Sequence, residues 1–210
     1  MENLENKISV QASRRMPFYL KYLDSYNDDE YISASKIAED HDLNEIQVRK
    51  DLALISKARG IPNKGFKVID LKDGIKEFLG YHNSKDAILI GVGNLGKALL
   101  SYKGFEQYGL NIVAAFDNNK KIIGKEINSK KVFSTDELEK VTRKLKVHLA
   151  IMTVPDDAAQ DVANQLCECG VLAIWNFTSV HIKVNKDIFV KEENLASSLS
   201  ELSNYLTEKA

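Results

Sequence analysis

One stretch near the middle of the chain constrains the fold more than any other: Ala87-Ile88-Leu89-Ile90-Gly91-Val92-Gly93-Asn94-Leu95-Gly96-Lys97-Ala98-Leu99-Leu100. Four consecutive apolar residues without alternation predict a strand buried on both faces. Gly91, Gly93 and Gly96 follow at G-x-G-x-x-G spacing, ahead of a helical run. Each glycine answers a separate mechanical demand. The first permits a tight turn, the second lets a pyrophosphate approach the backbone, and the third lets the new helix pack closely on the strand with its N–H groups aimed at phosphate. A second apolar run, Ile112-Val113-Ala114-Ala115-Phe116-Asp117, ends in an acid 21 residues after Gly96. A dinucleotide fold places there the carboxylate that holds the adenosine ribose hydroxyls, and an acid at that point favours NAD(H) over the 2′-phosphate of NADP(H).

A dinucleotide domain leaves the residues before it unexplained, so a chain of 210 residues is expected to carry two domains. With 44% hydrophobic and 28% charged residues it can bury a core, which excludes a disordered chain. Met1 to Ser9 is acidic and polar and does not resemble a signal peptide. No run approaches membrane-spanning length, so a cytoplasmic location is expected. The two cysteines, Cys167 and Cys169, would point about 200° apart on a helix, which disfavours an intrachain disulfide or a shared metal site. Packing of a helix end is the simpler role for them, with a thiol redox switch as the alternative.

Before the central motif, Val10, Met16, Leu20 and Leu23 have helical spacing, with Pro17 expected to start or kink that helix. Ser33 can cap a second helix from Ala34 to about His41. After Asp42-Leu43, Asn44 can cap a third from Glu45 to about Ser56, with Gln47 completing a capping-box pattern. Two short helices joined by such a turn form a helix-turn-helix candidate. Val48, Leu52 and Ile55 define the inward face of the third helix and leave Gln47, Arg49 and Lys50 available where recognition helices meet base edges. From Gln47 to Lys67 there are six basic residues (Arg49, Lys50, Lys57, Arg59, Lys64 and Lys67) against one acid, Asp51, in a chain of net charge −1. Such a concentration is the electrostatic footprint of a phosphate contact, though a solvated basic face on a small helical domain would look the same. Turn residues from Arg59 to Val68 suit the wing of a winged helix. A further amphipathic helix runs from about Asp70 to Gly80, and a linker follows at His82 to Lys85.

Beyond Asp117 the alternation of strands and helices continues. Ser134-Thr135-Asp136-Glu137 reads as a capping box, Val147 to Thr153 as a strand ended by Val154-Pro155, and Asp156 or Asp157 as the start of a helix stopped by Gly170. Leu172 to Phe177 is a further strand. His181-Ile182-Lys183-Val184 and Ile188-Phe189-Val190 supply one or two more. The order predicts an α/β fold: an N-terminal winged helix-turn-helix domain (1–81), a Rossmann-type parallel sheet domain (82–190) and a C-terminal helix (191–210). That helix carries Leu195, Leu199, Leu202, Tyr205 and Leu206 on one stripe and needs a partner surface, either on its own domain or on a second chain.

Taken together, Gln47-Val48-Arg49-Lys50-Asp51-Leu52, Gly91 to Leu100, Ala114 to Asp117, Thr153-Val154-Pro155 and Asn176-Phe177 resemble the Rex family of redox-sensing transcriptional repressors over nearly the whole chain. The resemblance implies a homodimer with exchanged C-terminal helices that binds an AT-rich inverted-repeat operator DNA and leaves it when NADH is bound, thereby reading NADH against NAD+. It implies DNA contacts from Gln47, Arg49, Lys50 and Lys57, with Arg59 and Lys64 in the wing. Cofactor contacts are implied for Gly91, Val92, Gly93, Asn94, Leu95, Gly96 and Asp117. Thr153, Val154, Pro155, Asn176, Phe177 and Thr178 match the nicotinamide end, and Tyr102 matches a tyrosine near the cofactor or the switch. Two departures stand out. Asn194 occupies the position where the family commonly has an acid that can pair with an N-terminal arginine, here Arg15, and Ile61-Pro62-Asn63 replaces a glycine-rich wing.

The rival reading is a small NAD-dependent oxidoreductase, or a CoA- or nucleotide-binding Rossmann protein with an accessory helical domain. It needs a proton donor and a substrate pocket. His41, His82, His148 and His181 are scattered, and no Tyr-x-x-x-Lys pattern lies near the expected cofactor edge. No catalytic residue and no metal ligand is therefore assigned.

Overall fold

A computed structural model describes residues 10–55, 60–81 and 85–209. It divides into two compact units, Met1–Asn83 and Ser84–Ala210.

In the first unit, α1 (Val10–Leu23) is followed by β1 (Tyr31–Ile32), α2 (Ala34–Asp40), α3 (Glu45–Ile55), β2 (Phe66–Lys67) and α4 (Val68–Phe78). Ser33 caps α2 by accepting the Lys36 N–H at 3.0 Å. Asn44 Oδ1 accepts the N–H groups of Ile46 and Gln47 at the start of α3, so both expected caps form. Asp42, at φ 51°, turns the chain between α2 and α3, and the Leu43 N–H closes on Ala38 O at 2.8 Å. Pro17 lies inside α1 rather than at its start, where it removes one N–H from the helix ladder. Met16, Leu23, Ile37, Val48, Leu52, Val68, Leu71 and Ile75 form a closed core, and each such burial contributes about 2 kcal/mol. β1 and β2 pair antiparallel, Tyr31 with Lys67 and Ile32 with Phe66. Beside them Ile61 and Gly65 bridge across a turn whose corners are Pro62 and Asn63. The φ of 62° at Asn63 and the Lys64 N–H on Ile61 O at 3.0 Å identify a type II turn. The wing therefore closes without the glycine-rich sequence, because Asn tolerates the left-handed corner.

The second unit comprises β3 (Lys85–Ile90), α5 (Asn94–Leu100), α6 (Gly104–Gln107), β4 (Leu110–Asp117), β5 (Glu126–Ile127), β6 (Lys130–Ser134), α7 (Leu138–Leu145), β7 (Leu149–Met152), α8 (Ala159–Glu168), β8 (Ala173–Asn176), β9 (Phe189–Glu192) and α9 (Leu195–Lys209). The sheet order is β5-β6-β4-β3-β7-β8-β9, parallel except for the β5–β6 pair. Strand order reverses at β3, which places a topological switch point at the end of the strand that enters the glycine turn. Ile88 and Ile90 face a core shared with α7 and α8. Ala87 and Leu89 face the opposite core, with Leu99, Leu100 and Phe105. Three local features match their expected chemistry. The capping box forms at Ser134 and Glu137, although the turn it caps is 3₁₀ before α7 begins. Gly170, at φ 82°, ends α8, with the Val171 N–H on Leu166 O and the Gly170 N–H on Cys167 O, a Schellman pattern. Cys169 is buried at that helix end, Cys167 is half-buried, and both thiols are free.

Of the one or two strands expected after β8, one forms: the segment from His181 to Val184 pairs with no described strand, although Ile182 is buried. β6 was not anticipated, because two lysines precede its apolar pair. It nevertheless extends the sheet beside β4, with Ala115 opposite Val132 and Asp117 opposite Ser134. α9 starts at Leu195, because Glu192 belongs to β9. Leu199, Leu202, Tyr205 and Leu206 are exposed along it, 60–66% accessible, so these four side chains are left largely uncovered by the described residues.

Candidate functional site

The glycine turn gives each of its three glycines a different physical reason. Gly91 has φ 93°, and a Cβ there would lie 2.7 Å from Thr153 O and 2.9 Å from Val154 N. At Gly96 a Cβ would lie 2.0 Å from Gly91 O, so the helix can sit this close to the turn only without a side chain. Gly93, the N-cap of α5, differs from both. Its φ of −72° suits any residue, and a Cβ would meet nothing within 4 Å. The fold does not require glycine at position 93; an approaching phosphate would.

Asp117 ends β4 next to this turn. Its Oδ2 accepts the Val92 N–H at 2.6 Å and its Oδ1 accepts the Asn119 N–H at 2.7 Å. The carboxylate thus shapes the turn, and each oxygen keeps a second lone pair for a ribose hydroxyl. A cavity of about 220 Å³ lies beside it, walled by Gly91, Asp117, Val154, Pro155, Val162 and Gln165. A larger cavity of about 640 Å³ opens at the other end of the strands, by Lys85, His148, Leu172 and Phe189. Ligands of such sheets bind outside the carboxyl ends of the strands, so the smaller cavity is the relevant one. The residues present fit a dinucleotide.

The segments expected at the nicotinamide end converge on the same edge. Thr153 Oγ1 donates to Gly91 O at 2.6 Å, which latches the end of β7 to the glycine turn. Ser179 donates through its N–H at 3.0 Å, and through its hydroxyl, to Asp156. These bonds hold the Asp156 carboxyl below the usual range and join the segment after β7 to the loop after β8. Asn176, fully buried, accepts from the Thr178 N–H and hydroxyl at 3.0 and 2.8 Å and so shapes that loop. Tyr102, half-exposed beyond α5, meets Phe105 edge-on at 4.9 Å; Phe105 meets Trp175 at 5.8 Å, and Trp175 meets Phe177 at 4.9 Å. One aromatic row therefore links Tyr102 to Phe177 through two side chains that no sequence motif marks. Asn94 and Leu95 occupy the first turn of α5.

The basic surface belongs to the first unit. Gln47, Arg49 and Lys50 are exposed on α3, and Arg49 pairs with Glu45 at 2.5 Å. Lys64 Nζ sits 4.2 Å from the centre of the Tyr31 ring, which holds it on the wing. Lys57 and Arg59 lie outside the described residues. Asp51, which counted in sequence only as the lone acid among bases, is buried and organises the helix. It accepts from Arg15 Nε at 2.6 Å, Arg15 Nη2 at 2.9 Å, Tyr19 at 2.9 Å and Gln47 Nε2 at 2.9 Å. Burial works to raise its carboxyl, but the hydrogen bonds from Arg15, Tyr19 and Gln47 outweigh it and hold the group below its ordinary range. Arg15 is thus committed to Asp51, and Gln47 reaches forward to Asp51 rather than back to its cap. Asn194 caps α9 by accepting the N–H groups of Ala196 and Ser197.

Comparison with known proteins agrees with both halves. Residues 82–180 match the family model described as "CoA binding domain", and residues 7–53 match "Putative DNA-binding protein N-terminus". The redox-sensing transcriptional repressor Rex of Treponema denticola is 44% identical over 203 residues, covering 96% of each chain. The chain belongs to the Rex family. Rex of Bacteroides fragilis is 34% identical over 95% of this chain and 91% of its own. Among solved structures, RSP, a Rex-family repressor, superposes with a TM-score of 0.90 at 31% identity in its complex with beta-NAD+ and operator DNA, covering 98% of this chain and 95% of that one. RSP in complex with beta-NADH superposes at 0.85. These Rex relatives are named as repressors and not as enzymes. Among the described residues no helix is long and apolar enough to cross a membrane, and no cluster of His, Cys, Asp or Glu could hold a metal ion.

Proposed function

We propose that this Rex-family chain is a cytoplasmic, homodimeric repressor that holds an AT-rich inverted-repeat operator and leaves it when NADH is bound. The observation that carries the reading is Gly93: its place in the turn beside Asp117 is needed by a dinucleotide and not by the fold. Gly91, Val92, Gly93, Asn94, Leu95 and Gly96 take the pyrophosphate, Asp117 the adenosine ribose, and Thr153, Val154, Pro155, Asn176, Phe177 and Thr178, with Tyr102, the nicotinamide end. Gln47, Arg49 and Lys50 read the groove while Lys57, Arg59 and Lys64 contact phosphate. Residues 1–81 form the DNA-binding domain, 82–190 the cofactor domain, and 191–210 the helix exchanged in the dimer, whose uncovered stripe supports that role.

The two redox forms differ at the nicotinamide ring, which is cationic when oxidised and neutral when reduced. An apolar surround of Val154, Pro155 and Phe177 penalises the cationic ring by desolvation and so favours the reduced cofactor. Because binding linkage is reciprocal, operator and NADH weaken each other by the same factor, and a hundredfold effect requires about 2.7 kcal/mol of differential binding. Arg15 and Asn194 are assigned to the switch between the two states, and a neutral amide in place of an acid makes any contact between them roughly half as strong.

The test is binding to an AT-rich palindromic duplex at fixed salt, titrated separately with NADH, NAD+ and NADPH. Release by NADH at far lower concentration than by the other two is expected. Indifference to all three would defeat the reading.

A further inference from the structure

Asn176, the last residue of β8, is fully buried where the loop beside the nucleotide site begins, and all four of its hydrogen-bonding positions are filled. Its oxygen takes the two Thr178 donors, while its amide nitrogen donates to Val180 O at 3.0 Å and to Glu192 Oε2 at 2.7 Å. This arrangement leaves the amide one orientation, because its nitrogen faces two acceptors and its oxygen faces an N–H donor. Glu192 is the register partner of Asn176 across the β8–β9 pair and the last residue of β9. Two residues later, Asn194 caps α9. The other Glu192 oxygen lies 3.2 Å from His181 Nδ1 without a hydrogen bond to it, so the Asn176 amide is the side-chain donor that holds this carboxylate.

We propose that Glu192 is a positioning residue that ties the 176–180 loop to the root of α9, so that occupancy of the nucleotide site is felt where the helix leaves the sheet. The inference rests on the sensor reading above. Loop and strand are also joined by the Glu193 N–H on Asn176 O at 2.8 Å and by Trp175 Nε1 on Glu193 at 3.3 Å. Upstream, the Ser179–Asp156 and Thr153–Gly91 bonds carry the same connection back to the glycine turn. A displacement of the loop must therefore break the bond that the buried Asn176 amide makes to Glu192 or move β9 with it, and an unpaired buried amide is the costlier outcome. Coupling between the two sites is measurable apart from either affinity.

The experiment uses the full chain and the palindromic duplex. Duplex affinity is measured with and without saturating NADH, and NADH affinity is measured alone, for the wild type, Glu192→Ala and Glu192→Gln. Glu192→Leu stands in if the alanine variant fails to fold. Both single affinities should stay near wild type in Glu192→Ala, while the ratio of duplex affinities without and with NADH falls roughly fivefold, within the usual range of coupling between sites. Glu192→Gln keeps an acceptor for the Asn176 amide and should restore the ratio. An unchanged ratio in Glu192→Ala, or an equal loss in Glu192→Gln, would overturn the proposal. A wild type on which NADH has no effect would instead defeat the sensor reading on which it rests.

Discussion

The Arg15 guanidinium donates to both oxygens of Asp51, at 2.6 and 2.9 Å, joining α1 to α3 across 36 residues of chain. The carboxylate is 2% exposed and the arginine 22%, so removing one partner strands a buried charge. Arg15→Ala, which strands that carboxylate, should lower stability by about 3 kcal/mol in urea titrations at neutral pH. The Asp51 carboxyl lies below its unfolded value, so the pair stabilises fully above about pH 4, the ordinary aspartate range, and its contribution is lost as pH falls through the folded value. Asp51→Asn should remove that acid-dependent part of the stability curve; an unchanged acid limb would show that the pair does not carry it.

Gly93 and Gly96 separate binding from folding. Gly93→Ala meets no atom and should melt within a degree or two of wild type, yet lose NADH affinity about tenfold or more where its methyl meets the pyrophosphate. Gly96→Ala drives a methyl to 2.0 Å from Gly91 O and should lower the melting temperature clearly, by overpacking worth roughly 1–3 kcal/mol. Calorimetry paired with NADH titration reads both.

Arg49 and Asp117 should act on different ligands. Arg49→Ala gives up one groove-reading side chain on the exposed face of α3, so duplex binding should weaken by roughly 1–3 kcal/mol and lose discrimination at the base it reads, with NADH affinity unchanged. Asp117→Ala should do the reverse to affinity, at a further cost because the Val92 N–H loses its acceptor. Fluorescence anisotropy of labelled duplexes with single base substitutions, beside an NADH titration, distinguishes the two.

The α9 stripe predicts assembly. Leu199 and Leu202 are 62% and 63% exposed in the single chain, and replacing both with glutamate should convert a dimer to a monomer in sedimentation runs while the far-ultraviolet dichroism stays helical. A variant that still sediments as a dimer would place the interface elsewhere.

Much of the fold was legible because its signals are local. The apolar run of β3, the three glycines, the caps at Ser33, Asn44 and Ser134, and the stop at Gly170 each act within a few residues of themselves. β6 was missed because its place in the sheet depends on β4 and not on its own lysine-led sequence. The apolar Ile182 and Val184 suggested a strand, but their backbone finds no partner. Asp51 was counted as charge, since nothing in its neighbourhood reveals an arginine 36 residues upstream.

The two-domain plan, the nucleotide turn and the orphan helix follow from residue pattern alone, because periodicity and glycine placement constrain the backbone wherever they occur. Packing alone decided what the side chains do. Gly93 proved sterically free while Gly91 and Gly96 did not, Arg15 was drawn to Asp51, and Asn176 was locked between its own loop and Glu192. Each outcome turns on which atoms from distant segments come within about 3 Å of one another, the range over which steric exclusion and hydrogen bonding act.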